Sequence, residues 1–324
     1  MVFLSGCPFH PSPYQYNQGF LPEQPVNMSN FNSPYDDFNV TAPVIHSFHP
    51  LLFSSNRNSQ GGDFDIIYMP MSMEFDKNDG SLSVASDYEW HHFSEEHYAN
   101  IEALPDIINN DANQYGPNLF SSGADTEYGY AKMHHFLYAS DDAGVLNIFY
   151  SDTKEDSTFS DPLEVSFLNS NANDAYPTID TAHSSLHFCS DRASDTYNIY
   201  STAINPDTTL SAAMADTSAH DILKSKILSS SGNDKCPFVF KNIMVFTSDR
   251  AGGYGGYDLY LSEYVDGAWT QPANLGDKIN TKFNEYRPVI VQQHIDNSRH
   301  MIIFSSDRPR GKGGYDLYFA GIQK

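Results

Sequence analysis

The sequence predicts an all-β protein, a five-bladed β-propeller of four-stranded blades whose last blade is completed by the N-terminal segment. Three observations lead there. An aromatic run, a turn and a second aromatic run recur five times along the chain, and each copy follows a proline-apolar element. An asparagine stands four residues before every one of those prolines. Nowhere does a helical periodicity of useful length appear.

The last two copies, MVFTSDRAGGYGGYDLYLSE (244–263) and IIFSSDRPRGKGGYDLYFAG (302–321), agree almost residue for residue. Weaker copies are LLFSSNRNSQGGDFDIIYMP (51–70), FLYASDDAGVLNIFYSD (136–152) and LHFCSDRASDTYNIYSTA (186–203), so the five end in Tyr68, Tyr150, Tyr200, Tyr260 and Tyr318. The preceding prolines are Pro43, Pro117, Pro177, Pro237 and Pro288, with Asn39, Asn113, Asn173, Asn233 and Asn284 in front of them. Asparagine caps a turn through its side chain, and proline fixes φ at the entry of a first strand.

A third element joins neighbouring units. LGDKINTKFNEYRP (275–288) and LPDIINNDANQYGP (104–117) share Leu, Asp, Ile, Asn, Asn, Tyr and Pro at identical offsets, and Trp269 to Pro272 and Phe159 to Pro162 supply outer strands. The middle strands are apolar or aromatic at successive positions, as expected of sheets covered on both faces. The fifth copy lies too near Lys324 for an outer strand of its own, and FLPEQPVNM (20–28) resembles WTQPANL, so residues 20–28 are expected to close the ring. The organisation expected is an N-terminal extension over 1–19 and a single propeller domain over 20–324, with an extra hairpin inserted at about 69–100.

Composition narrows the partners. With 41 acidic against 18 basic residues the formal charge is −23, which opposes binding to nucleic acid phosphates or an anionic lipid surface. Basic peptides, cations and neutral sugars remain open. No stretch approaches the apolar length of a membrane helix, so membrane association is expected only through a lipid anchor or a partner. The three cysteines cannot make a disulfide framework, and Cys189 and Cys236 read as buried free thiols. Leu4-Ser5-Gly6-Cys7 has the small-residue pattern of a lipoprotein cleavage site, which makes Cys7 the candidate lipid anchor, with a periplasm-facing orientation expected.

The SSDR…GGYDLY units and their W-x-x-P-x-N-L-G connectors resemble the WD-like β-propeller repeats of the TolB type, as found in OmpA-linked envelope proteins of Gram-negative bacteria. The resemblance covers about residues 20–324 and is weakest in the second copy, where Asp142 stands for the Arg and Asn147 for the Asp. It implies a non-enzymatic propeller that docks or scaffolds other envelope or outer-membrane proteins. The chain departs from the OmpA-linked members in that no peptidoglycan-binding domain is expected beside the propeller, so cell-wall binding is not expected of it.

Residues repeated in every blade read as scaffolding. Asp191-Arg192, Asp249-Arg250 and Asp307-Arg308 are expected to bind turn amides and to pair with Asn198, Asp258 and Asp316, so no catalytic residue is assigned. The glycine runs GGYGG and GKGG lack the Lys-Ser/Thr of a phosphate loop, and Asp76 to Gly80 departs from a calcium loop, so neither a cofactor nor a metal is assigned. His91, His92, His97, His134 and His135, with Glu95 and Glu96, are the residue types of a metal site, but adjacent histidines in a strand face opposite ways. Trp90 and Phe93, in the Met- and aromatic-rich insertion, form the candidate partner surface. The alternative function is a carbohydrate-active propeller, a glycoside hydrolase or lyase or a glycan-binding module. It needs unrepeated acids on the innermost strands, where the segments after the prolines offer only Asp180.

Overall fold

The computed structural model describes residues 19–43, 49–76, 78–86, 100–122, 133–153, 158–291 and 298–324. Cys7, Trp90 and Phe93 lie outside them, as do His91, His92, His97, Glu95 and Glu96. A short strand β1 (Val26–Asn27) comes first. Blade 1 is β2 (Asp37–Thr41), β3 (His49–Ser55), β4 (Asp65–Phe75) and β5 (Leu82–Ala85). After helix α1 (Leu104–Ile108), blade 2 is β6 (Gln114–Ser122), β7 (Met133–Ser140), β8 (Asn147–Asp152) and β9 (Leu163–Glu164). Blade 3 is β10 (Asp174–Asp180), β11 (Ser185–Ser190), β12 (Asn198–Ala203) and, past helix α2 (Leu210–Met214), β13 (Leu223–Lys224). Blade 4 is β14 (Asp234–Phe240), β15 (Ile243–Ser248), β16 (Asp258–Val265), β17 (Ala268–Trp269) and β18 (Ala273–Asn274). Blade 5 is β19 (Glu285–Val291), β20 (Arg299–Ser306) and β21 (Asp316–Gln323).

The fourth strand of blade 5 is β1, antiparallel to β21 with Val26 opposite Phe319 and Asn27 opposite Tyr318. The ring therefore closes through the N-terminal segment, as the repeats predict. Every pairing within a blade is antiparallel, and the middle strands are buried on both faces because a blade lies on each side. Leu52, Phe136, Phe188, Phe246 and Phe304 are fully buried between the sheets.

Two hydrogen-bond systems explain the repeat. In the first, an asparagine ahead of each inner strand holds the Asp of the SDR turn. Asn233 donates its backbone N–H and its Nδ2 to the two oxygens of Asp249, while its Oδ1 accepts the Tyr197 N–H of the preceding blade. Asn113, Asn173 and Asn284 repeat this with Asp141, Asp191 and Asp307. One side chain thus ties its own blade to the one before it.

Blade 1 corrects the sequence alignment. Its equivalent of these asparagines is Asp36, which accepts the Tyr315 N–H, and Asn56 takes the place of the aspartate. The SSNR spelling is therefore a swapped pair. Asn39 belongs instead to the strand bulge, and Val40 stands where the other blades have proline. An Asn56→Asp variant is expected to set two carboxylates together and cost about 1–2 kcal/mol, with most of it recovered on adding Asp36→Asn. Chemical denaturation of the two single variants and the double variant checks this.

In the second system the arginine pairs with an acid that opens the inner strand, and not with Asp258 or Asp316 as expected. Arg57, Arg192, Arg250 and Arg308 meet Asp37, Asp174, Asp234 and Glu285, all fully buried, and each also donates to a carbonyl, that of Phe31, Leu168, Leu228 or Ile279. Blade 2 has lost this ion pair, with the neutral Gln114 in place of the acid and Asp142 in place of the arginine. Asp258 and Asp316 instead accept backbone amides of their glycine-rich turns.

Of the expected insertion at 69–100, residues 69–76, 78–86 and 100 are described. The end of β4 pairs with β5, so residues 72–85 make blade 1's own outer hairpin. Helix α1 packs against β4 as well, with Leu104 and Ile108 buried in the cluster that also holds Ile66. Asn109 at the end of α1 completes the edge of β4 by bonding both backbone groups of Ile66.

Candidate functional site at the channel mouth

The five inner strands line the axis, and each carries the same irregularity. Asn39, Gly116, Tyr176, Cys236 and Arg287 have φ between 49° and 60°, at a register shift that a bulge explains. Their side chains fill the waist of the channel, since Asn39, Cys236 and Arg287 are fully buried and Tyr176 nearly so. Gly116 is the one position where a side chain is forbidden by space as well as by φ. A Cβ there would stand 2.5 Å from the Tyr176 ring.

Arg287 comes from blade 5 yet donates to the Pro117 carbonyl of blade 2 at 2.9 Å and the Pro237 carbonyl of blade 4 at 3.3 Å, so its guanidinium crosses the axis. Burial lowers its pKa. The Tyr286 hydroxyl donates to that of Tyr176 at 3.5 Å, and burial pushes both phenols well above their usual range. These side chains separate the channel into two ends.

At one end lies a cavity of about 260 Å³ bordered by Thr41, Asn118, Phe120, Thr178, Phe238 and Phe240 among others. Among the described residues, none of those lining it is acidic. Asp180, the acid the sequence reading noted, is nearby in chain but caps its own turn, accepting from the Ala182 and His183 amides and from His183 Nδ1 at 2.7 Å.

The other end is an aromatic mouth. Phe38, Tyr115 and Tyr286 are second residues of inner strands, and Phe64, Tyr197, Tyr257 and Tyr315 directly precede the third strands. Because consecutive strands are antiparallel, both sets arrive at the same end. Phe38 is the hub, with ring centroids 4.9 Å from Phe64, 5.9 Å from Tyr115 and 5.8 Å from Tyr315. Tyr286 packs against Tyr257 at 5.4 Å and Tyr315 at 6.3 Å. All but Tyr286 are only half-buried.

Carboxylates surround these rings. Burial, reinforced by Asp141 and Asp63, pushes the Tyr115 hydroxyl up to about 12. Burial and then Asp249 do the same for Tyr257, also to about 12. Tyr315 is raised by burial with Asp307 and Asp36 among the neighbours. The phenols are thus neutral hydrogen-bond donors at physiological pH, and the rim offers acceptors. Lys235 is the cation here, its Nζ 4.1 Å from the Tyr197 ring centroid and 5.7 Å from that of Tyr257.

The sequence reading missed this mouth. Its signal is the aromatic residue directly ahead of four of the five third strands, blade 2 having Leu146 there. Of the metal-type residues, His134 bonds Ser121 and His135 bonds Ser122 and Tyr150, on opposite faces as their adjacency requires. Among the described residues no group of three or more His, Cys, Asp or Glu is placed to hold a metal ion.

No family model and no curated protein matches the chain. Solved structures do. An α-L-arabinofuranosidase from Podospora anserina in complex with cellotriose superposes with a TM-score of 0.53 at 12% identity, over 94% of this chain and 98% of that one. A GH62 hydrolase in complex with xylotriose gives 0.54 at 12% identity over 95% and 99%. The catalytic domain of a GH62 α-L-arabinofuranosidase from Coprinopsis cinerea gives 0.50 at 10% over 94% and 98%. At such identities the likeness is one of fold.

These neighbours correct the expected kinship with TolB-type propellers, and with it the non-enzymatic docking or scaffolding reading and the exclusion of an enzyme. The physical reason lies in the motif. The SDR and GGYDLY residues that carried the resemblance are spent on blade staples and turn amides, so they describe how a blade is built and not what the protein binds.

Proposed function

We propose that this protein is a carbohydrate-active propeller that holds a glycan at its aromatic mouth. The observation that carries the reading is the half-buried cluster of Phe38, Phe64, Tyr115, Tyr257 and Tyr315 at the axis, bordered by carboxylates. A pyranose or furanose ring has apolar C–H faces that stack on such rings and hydroxyls that bond to phenols and carboxylates. The glycoside hydrolase neighbours in fold support the same class of ligand.

Cleavage of a bound glycosidic linkage needs two carboxyl groups, one giving a proton to the leaving oxygen and one acting as base or nucleophile. Beyond burial, the charges of Asp141 and Asp63, from consecutive blades, raise the pKa of the Tyr115 hydroxyl. Asp141 is held by Asn113, whereas Asp63 is exposed and stands outside the staples. Asp63 is therefore the acid proposed to act on a bound glycan, and Asp141 serves as the staple of its blade.

The experiment is incubation with a polysaccharide panel, read by product release and by calorimetric binding. Tyr115→Ala is expected to weaken binding tenfold or more, a loss of about 1.4 kcal/mol. Asp63→Asn is expected to abolish product release while leaving binding within about threefold, roughly 0.6 kcal/mol. Failure of the whole panel to bind, or binding indifferent to Tyr115→Ala, overturns the reading.

A further inference from the structure

We propose that the mouth selects acidic saccharides, with the Lys235 ammonium meeting the carboxylate of a uronic-acid residue. This rests on the mouth being the glycan site.

Lys235 breaks the symmetry of the blades. Its counterparts at the second position of the other inner strands are Phe38, Tyr115, Ala175 and Tyr286, so a lysine there is no part of the repeat's scaffolding. Its ammonium lies between the rings of Tyr197 and Tyr257, which come from the third strands of blades 3 and 4. The side chain is half-buried, so its charge is partly stripped of water yet reachable.

The carboxylates nearest in the fold are already committed. Asp191 accepts from Asn173 through both oxygens, and Asp249 does the same from Asn233. Below them Asp174 and Asp234 are buried and paired with Arg192 and Arg250. Among the described residues Lys235 joins no ion pair. The other cation near the axis, Arg287, is fully buried in the waist and bonded to two carbonyls, so it faces no ligand at the mouth.

An ammonium over aromatic faces that joins no ion pair among the described residues is matched by a ligand that brings a carboxylate. A uronic acid does so while keeping the C–H faces that stack on Tyr197 or Tyr257. The net charge of −23 opposes an anion at long range. At physiological salt charges more than about 8 Å away are largely screened. The carboxylates of Asp191 and Asp249 at the rim also oppose an anion, so the preference comes from direct contact with Lys235.

The test is a matched pair of ligands at 0.15 M salt, an oligogalacturonide and the neutral galactose oligomer of equal length, measured by calorimetry on the full chain. The wild type is expected to bind the acidic oligomer at least tenfold more tightly, about 1.4 kcal/mol. Lys235→Met is expected to bring the two within threefold by weakening the acidic oligomer, and Lys235→Arg to keep most of the preference. An unchanged melting temperature for each variant shows that the fold is kept. Equal binding by the wild type, or a preference that survives Lys235→Met, overturns this inference and leaves the glycan reading standing. No binding of either oligomer or of the wider panel overturns both.

Discussion

Deletion of residues 1–29 is expected to leave a chain that aggregates or melts more than 10 °C lower, whereas deletion of 1–15 leaves the melting temperature unchanged. The longer deletion removes β1, and with it the ladder to β21 and the bond from the Asn27 amide to Asp316. It also removes Leu21 and Met28, both buried in the cluster shared by blades 1 and 5. Each such side chain contributes roughly 1.5–3 kcal/mol on burial. Glu23, which pairs with Lys278 and Arg299, is exposed and adds little. With the strand hydrogen bonds the loss is on the order of 5 kcal/mol, comparable with the whole margin of many domains. The bared edge of β21 is then a template for another chain. Light scattering and a thermal melt of the two truncations decide the matter. A monomeric 30–324 fragment with an unchanged melting temperature refutes the role of closure.

The second large effect is acid lability between about pH 6.5 and 4. His49, His135 and His187 are each held down to about 4, first of all by burial. Asp152 beside His135 and Asp180 beside His187 only partly oppose this. In the unfolded chain these imidazoles take a proton near the ordinary value. As pH falls through that value, protonation favours the unfolded state until the folded groups also titrate near 4, so stability is full at neutral pH and drains away below it. One fully buried histidine contributes roughly 2–3 kcal/mol to this loss. Glu285 acts in the opposite direction, because burial raises its pKa and the folded state binds that proton more readily. Thermal melts from pH 7.5 to 4 are expected to show a steep decline, flattened in His135→Gln and His187→Gln variants. A melting temperature level across that range contradicts the assignment.

The sequence by itself determined the architecture. Five spellings of one aromatic-turn-aromatic unit specify five sheets, since each blade must use the same middle strands and turn acids to cover its neighbour. The missing outer strand of the fifth copy pointed to residues 20–28 for the same reason. Tertiary structure decided everything that depends on which blade faces which. Only in three dimensions does Asp36 take the role that Asn39 was assigned, because the carbonyl and amide it must reach belong to Asn56 and to Tyr315 of the fifth blade. Arg250 likewise finds Asp234 across the blade instead of Asp258, which is nearer in sequence. The mouth was the least legible part. Its aromatic residues lie far apart along the chain, in strands whose packing already accounts for aromatic content, and Lys235 is an ordinary surface residue until the ring brings Tyr197 and Tyr257 to either side of it.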